Sequence, residues 1–387
     1  MSLDIEQSML EEASRILHRE IDRDENLHEH LNINKLLAFI QGVHGRLGIE
    51  LNVNSVYLYK SVGELAEAVC RGVHNDVPKL LKLSDGGTQP PMIIFAGGVS
   101  CFLEIKSLLQ GITHEGAIYG MNLTDFDFPN VRPATVSDEI DACLAELERQ
   151  GIDGPVCVLG YSLGGIFALE LARKLRASGR EIRLLGLIDT PQSEHVWPLP
   201  VWIGYVLHRL RRRLRKVKAG LRASRTSPVS VSQKTEIQPR RMLLHRLRPL
   251  IFRFCSPKSD IYPELAPEWV GGYTPDYQRV GTQLLRMKGL YRPTVYDGRL
   301  VYYRAKGGDP TECDQRLIWQ PFLPNAEWVD VRGNHLSVIV GKNGVALGQD
   351  ISRRLERANR TALTAPAAAS APFAAGVAHF GKRVARR

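Results

Sequence analysis

The sequence predicts an α/β fold with a mostly parallel sheet, preceded by a small unit made only of helices. Two observations predict the sheet: short apolar runs end at glycines or polar residues, and the strongest of them leads directly into a helical pattern. A third observation predicts the helical unit, because residues 5–72 contain four segments with apolar residues at helical spacing. These segments are residues 5–16, 34–47, a short one near 56–58, and 62–69. At 387 residues, the chain has room for one full α/β core and a small extra domain.

The most informative segment surrounds Ser162, which stands in a G-x-S-x-G pattern. The apolar run 156–159 reads as a strand that enters the pattern, and residues 166–172 read as a helix that leaves it. This order is typical of a nucleophile elbow, a sharp turn that exposes a serine hydroxyl. Small flanking residues let the backbone double back, and the helix N-terminus favours negative charge there. The five-residue pattern alone occurs by chance, and its place between a strand and a helix makes it specific.

A serine hydroxyl needs a base and an orienting acid, and the sequence supplies both downstream. Asp189 ends an apolar, strand-like run, and His335 follows a short strand and a turn. Each alone is explained as well by a helix cap or a surface residue. The order serine, aspartate, histidine along the chain is that of α/β-hydrolases with a helical lid, so we predict the catalytic triad Ser162, Asp189 and His335. Asp309, which follows a later strand-like run, is the rival acid.

Two backbone amides are candidates for an oxyanion hole. The N–H of Leu163, directly after the nucleophile, is the first. The second is the N–H of Gly98, in a glycine-containing loop that follows the strand-like run 92–95. Glycines let a backbone approach a substrate carbonyl closely, although an ordinary strand-to-helix turn also uses them.

Residues 91–353 resemble the thioesterase domains that end nonribosomal peptide and polyketide synthase lines. The matching segments are residues 94–98, 160–165, 187–190, 301–305 and 333–335. Many relatives carry His-Pro or Pro-Pro where this chain has Ala96-Gly97, a departure that bears on the oxyanion loop and not on the triad. The resemblance implies that Ser162 receives an acyl group from the phosphopantetheine thioester of an acyl or peptidyl carrier protein and that hydrolysis releases it.

The N-terminal helices resemble an acyl or peptidyl carrier domain in their order and spacing. Such domains attach phosphopantetheine through the serine of a Gly-x-Asp-Ser-Leu run, and the aligned run here, residues 32–36, reads Asn-Ile-Asn-Lys-Leu. Lys35 replaces the serine and offers no hydroxyl, so we expect the domain to carry no prosthetic arm. It is either a degenerate carrier kept for docking or a small helical domain. In both cases we expect that removing residues 1–80 leaves hydrolysis of a small thioester intact.

A basic segment lies between the predicted acid and the predicted histidine. Residues 193–258 contain 16 Lys and Arg against two acidic residues, a net charge of +14 in a chain whose total is +10. Apolar residues recur there at spacings of 4, 3, 4, 3 and 4, which predicts an amphipathic helix. They are Ile203, Leu207, Leu210, Leu214, Val217 and Leu221. The thioesterase resemblance implies a helical lid over the acyl channel at this position, about residues 193–292.

Three interpretations of the basic segment remain open. The first, which we favour, is a lid whose apolar row packs over the active site while its arginines stay solvated. The second is a docking face for an acidic carrier domain, which is compatible with the first. The third is contact with anionic lipid at a membrane surface. Binding of nucleic acid is disfavoured, because no recognised fold or aromatic platform accompanies the charge.

The predicted domains are a carrier-like unit (1–75), a linker (76–90), the hydrolase domain (91–356) and a low-complexity basic tail (357–387). No signal peptide or long apolar span is evident, and the six cysteines lack metal spacing, so we expect a cytoplasmic enzyme without metal or cofactor. Transfer of the acyl group to an amine or hydroxyl, including cyclisation, is the alternative reaction. A non-catalytic docking or scaffold protein is the alternative class.

Overall fold

The computed structural model of the chain describes residues 2–98, 100–123, 135–223, 274–307 and 313–364. A seven-stranded sheet forms the centre of the main domain, in the order β1-β3-β2-β4-β5-β6-β7. The strands are β1 Leu80–Ser84, β2 Met92–Phe95, β3 Ile118–Met121, β4 Val156–Tyr161, β5 Ile182–Ile188, β6 Leu300–Ala305 and β7 Ala326–Val331. Only the β1–β3 pair is antiparallel. This arrangement confirms the predicted α/β-hydrolase fold with a mostly parallel sheet.

Helices precede the sheet and cover it. Those before the sheet are α1 Ser2–Leu17, α2 Leu27–His30, α3 Ile33–Leu47, α4 Ser55–Leu58 and α5 Val62–Cys70. Those that follow are α6 Lys106–Gly111, α7 Val136–Arg149, α8 Gly164–Ala177, α9 Leu199–Ala223, α10 Pro275–Leu290, α11 Gln315–Trp319 and α12 Gly341–Thr364. Short 3-10 helices span Phe102–Ile105 and Glu194–Val196.

The sheet is buried on both faces, which explains why its central strands are almost continuously apolar. Side chains alternate between the faces, so Val158 of β4 packs on one side and Leu159 on the other. The first side contains Phe167 of α8 and its neighbours from α7. The second contains Leu108 of α6 and Leu347 of α12. Two apolar layers therefore hold the strands in place and fix their carboxyl ends.

The N-terminal helices share their hydrophobic core with the main domain. Residues such as Phe39 and Leu65 form the centre of this core, and Cys101, Leu103 and Tyr277 of the main domain belong to it. This packing argues against our expectation that removing residues 1–80 leaves hydrolysis of a small thioester largely intact, because their removal exposes apolar groups beside the sheet. The spacing of apolar residues predicted these helices correctly. It gave no information about which surface the helices bury.

The predicted linker, residues 76–90, contains a strand of the sheet. Within it, β1 pairs with β3, with Leu80 opposite Met121 and Leu81 opposite Gly120. The linker assignment is therefore wrong for residues 80–84. This edge strand is only five residues long, which is too short to give a clear periodic signal.

The apolar row of α9 faces away from the core. Ile203 and Leu214 keep 44% and 53% of their surface exposed, and Leu207 and Leu210 are similarly exposed. Trp202 and Tyr205 are buried instead, and the Tyr205 ring meets the Trp197 ring edge-on at 5.0 Å. The expectation that this row packs over the active site is therefore wrong for these four residues. The side chains of Val217 and Leu221, and the rest of the predicted lid at 224–273, lie outside the described residues.

The end of the main domain differs slightly from the expectation. Helix α12 continues to Thr364, so the predicted tail begins inside a helix, and residues 365–387 lie outside the described part. In the ranges that the structure describes, no helix is long and apolar enough to span a bilayer, and no cluster of three or more His, Cys, Asp or Glu residues is arranged to hold a metal.

Candidate active site

The three residues of the predicted triad meet at the carboxyl end of the sheet. Ser162 Oγ lies 2.9 Å from Nε2 of His335, and Nδ1 of the same ring lies 2.7 Å from Oδ2 of Asp189. Ser162, His335 and Asp189 are 9%, 6% and 1% exposed, respectively, so little water competes for these hydrogen bonds. The structure thus places the serine, the histidine and the aspartate in one hydrogen-bonded chain.

Ser162 occupies a strained turn between β4 and α8. Its φ of 53° lies in the left-handed region, which non-glycine residues rarely adopt. The Ser162 N–H donates to the carbonyl of Ile188 at 2.8 Å and holds the turn against β5. A side chain at Gly160 would overlap the Gly164 carbonyl, and one at Gly164 would overlap backbone at the end of β2. The glycines of the pattern are therefore required by the close packing of the elbow.

Asp189 is held in an equally unusual conformation. Its φ is 43°, and its N–H donates to the Tyr303 carbonyl at 2.8 Å. Carboxylate Oδ1 accepts a hydrogen bond from the Ala305 N–H at 3.1 Å, which leaves Oδ2 for His335. Strand β6 therefore sets the direction of the carboxylate toward the imidazole. The rival acid, Asp309, lies outside the described residues.

Two aromatic residues that the sequence analysis missed support the turn after the acid. The Tyr302 hydroxyl and the Trp319 indole N–H both donate to the Thr190 carbonyl, at 2.8 and 2.7 Å. The Trp328 ring packs against Tyr302 with the centroids 4.6 Å apart. No pattern indicated this role for Tyr302 and Trp319, because each bonds to backbone more than 100 positions away.

Tyr161, inside the G-x-S-x-G pattern, supports the histidine. Its hydroxyl donates to the His335 carbonyl at 2.7 Å, and the two rings stack with centroids 5.5 Å apart. Burial raises the pKa of Tyr161, so the phenol stays protonated and remains a donor. Beside it, the Asn334 side chain accepts from the amides of Leu336 and Ser337 and holds the turn that carries His335.

The two candidate oxyanion donors belong to different parts of the fold, the start of α8 and the loop after β2. Leu163 stands at the N-cap of α8, where amides have no partner within the helix. A Cβ built on Gly98 meets nothing within 4 Å, so this backbone faces open space. The role of these two amides as oxyanion donors stays a prediction.

Glu104 is a titratable group beside the oxyanion loop. Although its side chain keeps some exposed surface, burial raises the pKa of Glu104 to about 7. A hydrogen bond from the Gly97 N–H to its carboxylate opposes this shift. The ionised carboxylate in turn raises the pKa values of Tyr161 and Cys101 nearby. Sequence patterns gave no sign of this group.

The raised pKa of Glu104 predicts a pH-dependent stability. The folded protein holds this proton more tightly than the unfolded chain, whose carboxyl has a pKa near 4.5. The stabilising contribution is therefore complete below about pH 4.5 and is lost as the pH rises to about 7. We expect Glu104→Gln to gain free energy of unfolding relative to the wild type across this interval. Urea denaturation at pH 4.5 to 8 measures the difference, with exposed Glu20→Gln as the control, and a difference that does not vary with pH contradicts the prediction.

Comparisons with known proteins agree with this fold. Residues 94–200, which include Ser162 and Asp189, match the family model of the thioesterase domain. The chain is 29% identical over 161 residues to the probable non-canonical nonribosomal peptide synthetase CymA of Salinispora arenicola (strain CNS-205). It is 21% identical over 321 residues to malpibaldin synthetase of Mortierella alpina. These matches cover 41% and 81% of this chain but only 2% and 5% of the two relatives.

Among solved structures, a four-domain nonribosomal peptide synthetase bound to AMP and glycine matches 90% of this chain with a TM-score of 0.52. The match covers 26% of that protein at 18% sequence identity, so it shows similarity of fold. The sheet topology and the buried Ser-His-Asp arrangement are typical of the α/β-hydrolase fold. More specifically, residues 94–200 match the thioesterase domain, and the two relatives are nonribosomal peptide synthetases or synthetases of which this chain spans only a small part.

Proposed function

We propose that the protein is a serine thioesterase that removes an acyl or peptidyl group from a carrier-protein thioester and releases it as a free acid. The observation that carries this proposal is the hydrogen-bonded chain from Ser162 through His335 to Asp189. The location of Ser162 and Asp189 in the segment that matches the thioesterase domain supports the choice of a thioester over other acyl substrates.

The proposed reaction begins when His335 Nε2 accepts the proton of Ser162. The serine Oγ attacks the thioester carbonyl, and the amides of Leu163 and Gly98 stabilise the resulting oxyanion. When the intermediate collapses, the C–S bond breaks and the thiolate takes the proton from His335, which leaves an acyl-serine. Water then attacks this ester while His335 again acts as the base. Collapse of the second intermediate returns the proton to Ser162 and releases the acid.

Asp189 has an electrostatic and orienting role in this scheme. The 2.7 Å contact makes His335 Nδ1–H the donor to the carboxylate, so Nε2 is left unprotonated and faces Ser162 Oγ. The buried negative charge also stabilises the imidazolium that forms during each step. Because Ala305 occupies Oδ1, the carboxylate keeps one orientation through the cycle.

The acyl donor in this proposal is a separate carrier protein. Lys35 lies in the first turn of α3, where its amide donates to the Asn32 side chain at 3.0 Å. Asn32 therefore acts as a helix cap in a run that would otherwise carry the phosphopantetheine serine. The N-terminal helices offer no attachment point at this position.

This assignment predicts that the protein is not a substrate for phosphopantetheine transfer. Incubation with coenzyme A and a promiscuous phosphopantetheinyl transferase is expected to leave its intact mass unchanged, because Lys35 supplies no hydroxyl. A carrier protein with an intact serine motif is the positive control. A mass gain of one phosphopantetheine group contradicts the prediction and indicates another serine, such as Ser55 or Ser61, as the attachment point.

We place the carrier's docking face on the basic segment that includes α9. This helix begins ten residues after Asp189, and its row of exposed apolar residues stands beside many arginines in the sequence. A surface of this kind suits an acidic partner that also presents apolar groups. Contact with anionic lipid remains the competing interpretation of the same helix.

Product analysis tests hydrolysis against acyl transfer. A single carrier-bound acyl thioester is supplied with and without added amines or alcohols, and the products are identified by mass. We expect the free acid as the main product in every case. Efficient formation of an amide or ester at low acceptor concentration contradicts hydrolysis and indicates an acyltransferase or a cyclase.

A further inference from the structure

A buried asparagine from the N-terminal helices contacts the segment that follows the oxyanion loop. The Asn54 side chain has no exposed surface, and its Nδ2 donates to the Ser100 carbonyl at 2.7 Å. Its Oδ1 accepts from the Phe102 N–H at 3.0 Å. One amide side chain therefore satisfies a backbone acceptor and a backbone donor two residues apart.

The position of Asn54 makes this pairing unusual. Asn54 is the N-cap residue of α4, where an asparagine side chain normally accepts a hydrogen bond from its own helix. Here the side chain makes no such bond and reaches the main domain instead. The Asn54 N–H donates to Oδ1 of Asn52 at 2.9 Å, which fixes the backbone that presents the side chain.

The segment that Asn54 holds is itself strained. Ser100 has no exposed surface and adopts a left-handed φ of 52°. Such a conformation persists only when the surrounding structure imposes it. Two further hydrogen bonds contribute: the Ser100 N–H donates to the Gly97 carbonyl at 2.9 Å, and the Leu123 N–H donates to Ser100 Oγ at 3.1 Å.

These bonds connect the N-terminal helices to the candidate oxyanion donor. Gly98 lies inside the turn that the bond between Gly97 and Ser100 closes. The amino side of this turn is fixed by the close approach of Gly164 to the Ala96 carbonyl. Asn54 fixes its carboxyl side, so the turn that carries the Gly98 amide is held at both ends.

We propose that Asn54 is a positioning residue for the oxyanion hole, through which the N-terminal helices complete the active site. The expected effect on kcat rests on the proposed function. The structural part, that Asn54 holds the loop, does not. The shared core with Cys101 and Leu103, and the bonds from Lys106 Nζ to the carbonyls of His28 and Glu29, keep the helices in place while Asn54 acts.

The test compares two variants of Asn54 in the full-length protein. Asn54→Leu has a similar volume and no hydrogen bonds, whereas Asn54→Asp keeps the acceptor for Phe102 and loses the donor to Ser100. Should the leucine variant fail to fold, the aspartate variant carries the test. Asn32→Ala is the matched control, because it removes an exposed helix cap from the same unit without touching the loop.

The kinetic readout is kcat and KM for a small acyl thioester. We expect kcat to fall on the order of 10- to 100-fold in the Asn54 variants, with KM within about threefold of the wild type. The reason is that a displaced Gly98 amide stabilises the oxyanion of the transition state less well. The affinity for an alkyl boronic acid, which forms a tetrahedral adduct on serine, is expected to fall in parallel. A kcat for folded Asn54→Leu or Asn54→Asp equal to that of Asn32→Ala overturns the proposal.

Amide hydrogen exchange gives a readout that does not depend on activity. Peptides covering residues 97–105 are expected to exchange faster in the Asn54 variants and at the wild-type rate in Asn32→Ala. Unchanged exchange in this segment overturns the proposal. If the wild type hydrolyses no thioester, the proposed function is wrong, and the exchange result still decides whether Asn54 holds the loop.

Discussion

Replacing Ser162 with alanine is expected to lower kcat for thioester hydrolysis on the order of a million-fold. The change removes the atom that attacks the carbonyl and forms the acyl-enzyme, while the amides of Leu163 and Gly98 remain. Only the modest rate enhancement from the oxyanion hole and substrate binding should survive. Release of free thiol from an acyl thioester, followed by absorbance, measures the loss.

A matched control separates loss of chemistry from loss of folding. Ser178, at the C-terminal end of α8, bonds only to the carbonyl of Leu175 through its hydroxyl, so Ser178→Ala should keep nearly full activity. The thermal midpoint of Ser162→Ala should stay close to that of the wild type, because the backbone hydrogen bond to Ile188 and the packing of the elbow are unchanged. Activity of Ser162→Ala within tenfold of the wild type contradicts the assignment of the nucleophile.

The second large effect is expected for Asp189→Asn, with a fall in kcat on the order of ten thousand-fold. An asparagine amide that faces Nδ1 of His335 is a hydrogen-bond donor. It therefore favours the tautomer in which Nδ1 is an acceptor and the ring proton is on Nε2. In that tautomer His335 cannot accept the proton of Ser162. The same steady-state assay at neutral pH measures this loss.

Two further aspartates serve as controls for this change. Asp330, which forms a partly exposed ion pair with Arg304, should tolerate asparagine with little loss of activity. Asp309 is the rival acid from the sequence, and Asp309→Asn should be mild. If Asp309→Asn is the more damaging of the two changes, Asp189 is not the acid of the triad.

The sequence predicted the parts of the site whose geometry is imposed locally. A strand, a serine between glycines and a helix leave the backbone at Ser162 few alternatives. The apolar run before Asp189 likewise places a carboxylate at the end of a buried strand. The carboxyl ends of parallel strands lie at the same end of the sheet. The order of these residues along the chain was therefore enough to predict that they meet.

The supporting residues were not predictable in this way. Tyr302 and Trp319 bond to backbone more than 100 residues away, and Asn54 bonds to a loop 46 residues downstream. Their side chains belong to ordinary strand and helix patterns, and only the packing of whole elements shows what they contact. Sequence periodicity indicates which residues form an element but carries no information about its distant partners.

The same limit explains the two errors in the helical regions. Apolar spacing predicted helix α9 correctly, yet Trp202 and Tyr205 face the core while Leu207 and Leu210 are exposed. The N-terminal helices read as a separable unit because their apolar residues sufficed for one core. The structure adds Cys101 to that core, and this contact across domains leaves no trace in local periodicity.

The most direct test of the account is the intact mass of the wild-type protein, quenched rapidly after mixing with a carrier-bound acyl thioester. A serine thioesterase should gain the mass of one acyl group, located on the tryptic peptide that contains Ser162, and this species should decay as free acid forms. Ser162→Ala should gain nothing under the same conditions. Turnover of the thioester with no adduct on Ser162, or with the adduct on another residue, contradicts the proposed mechanism.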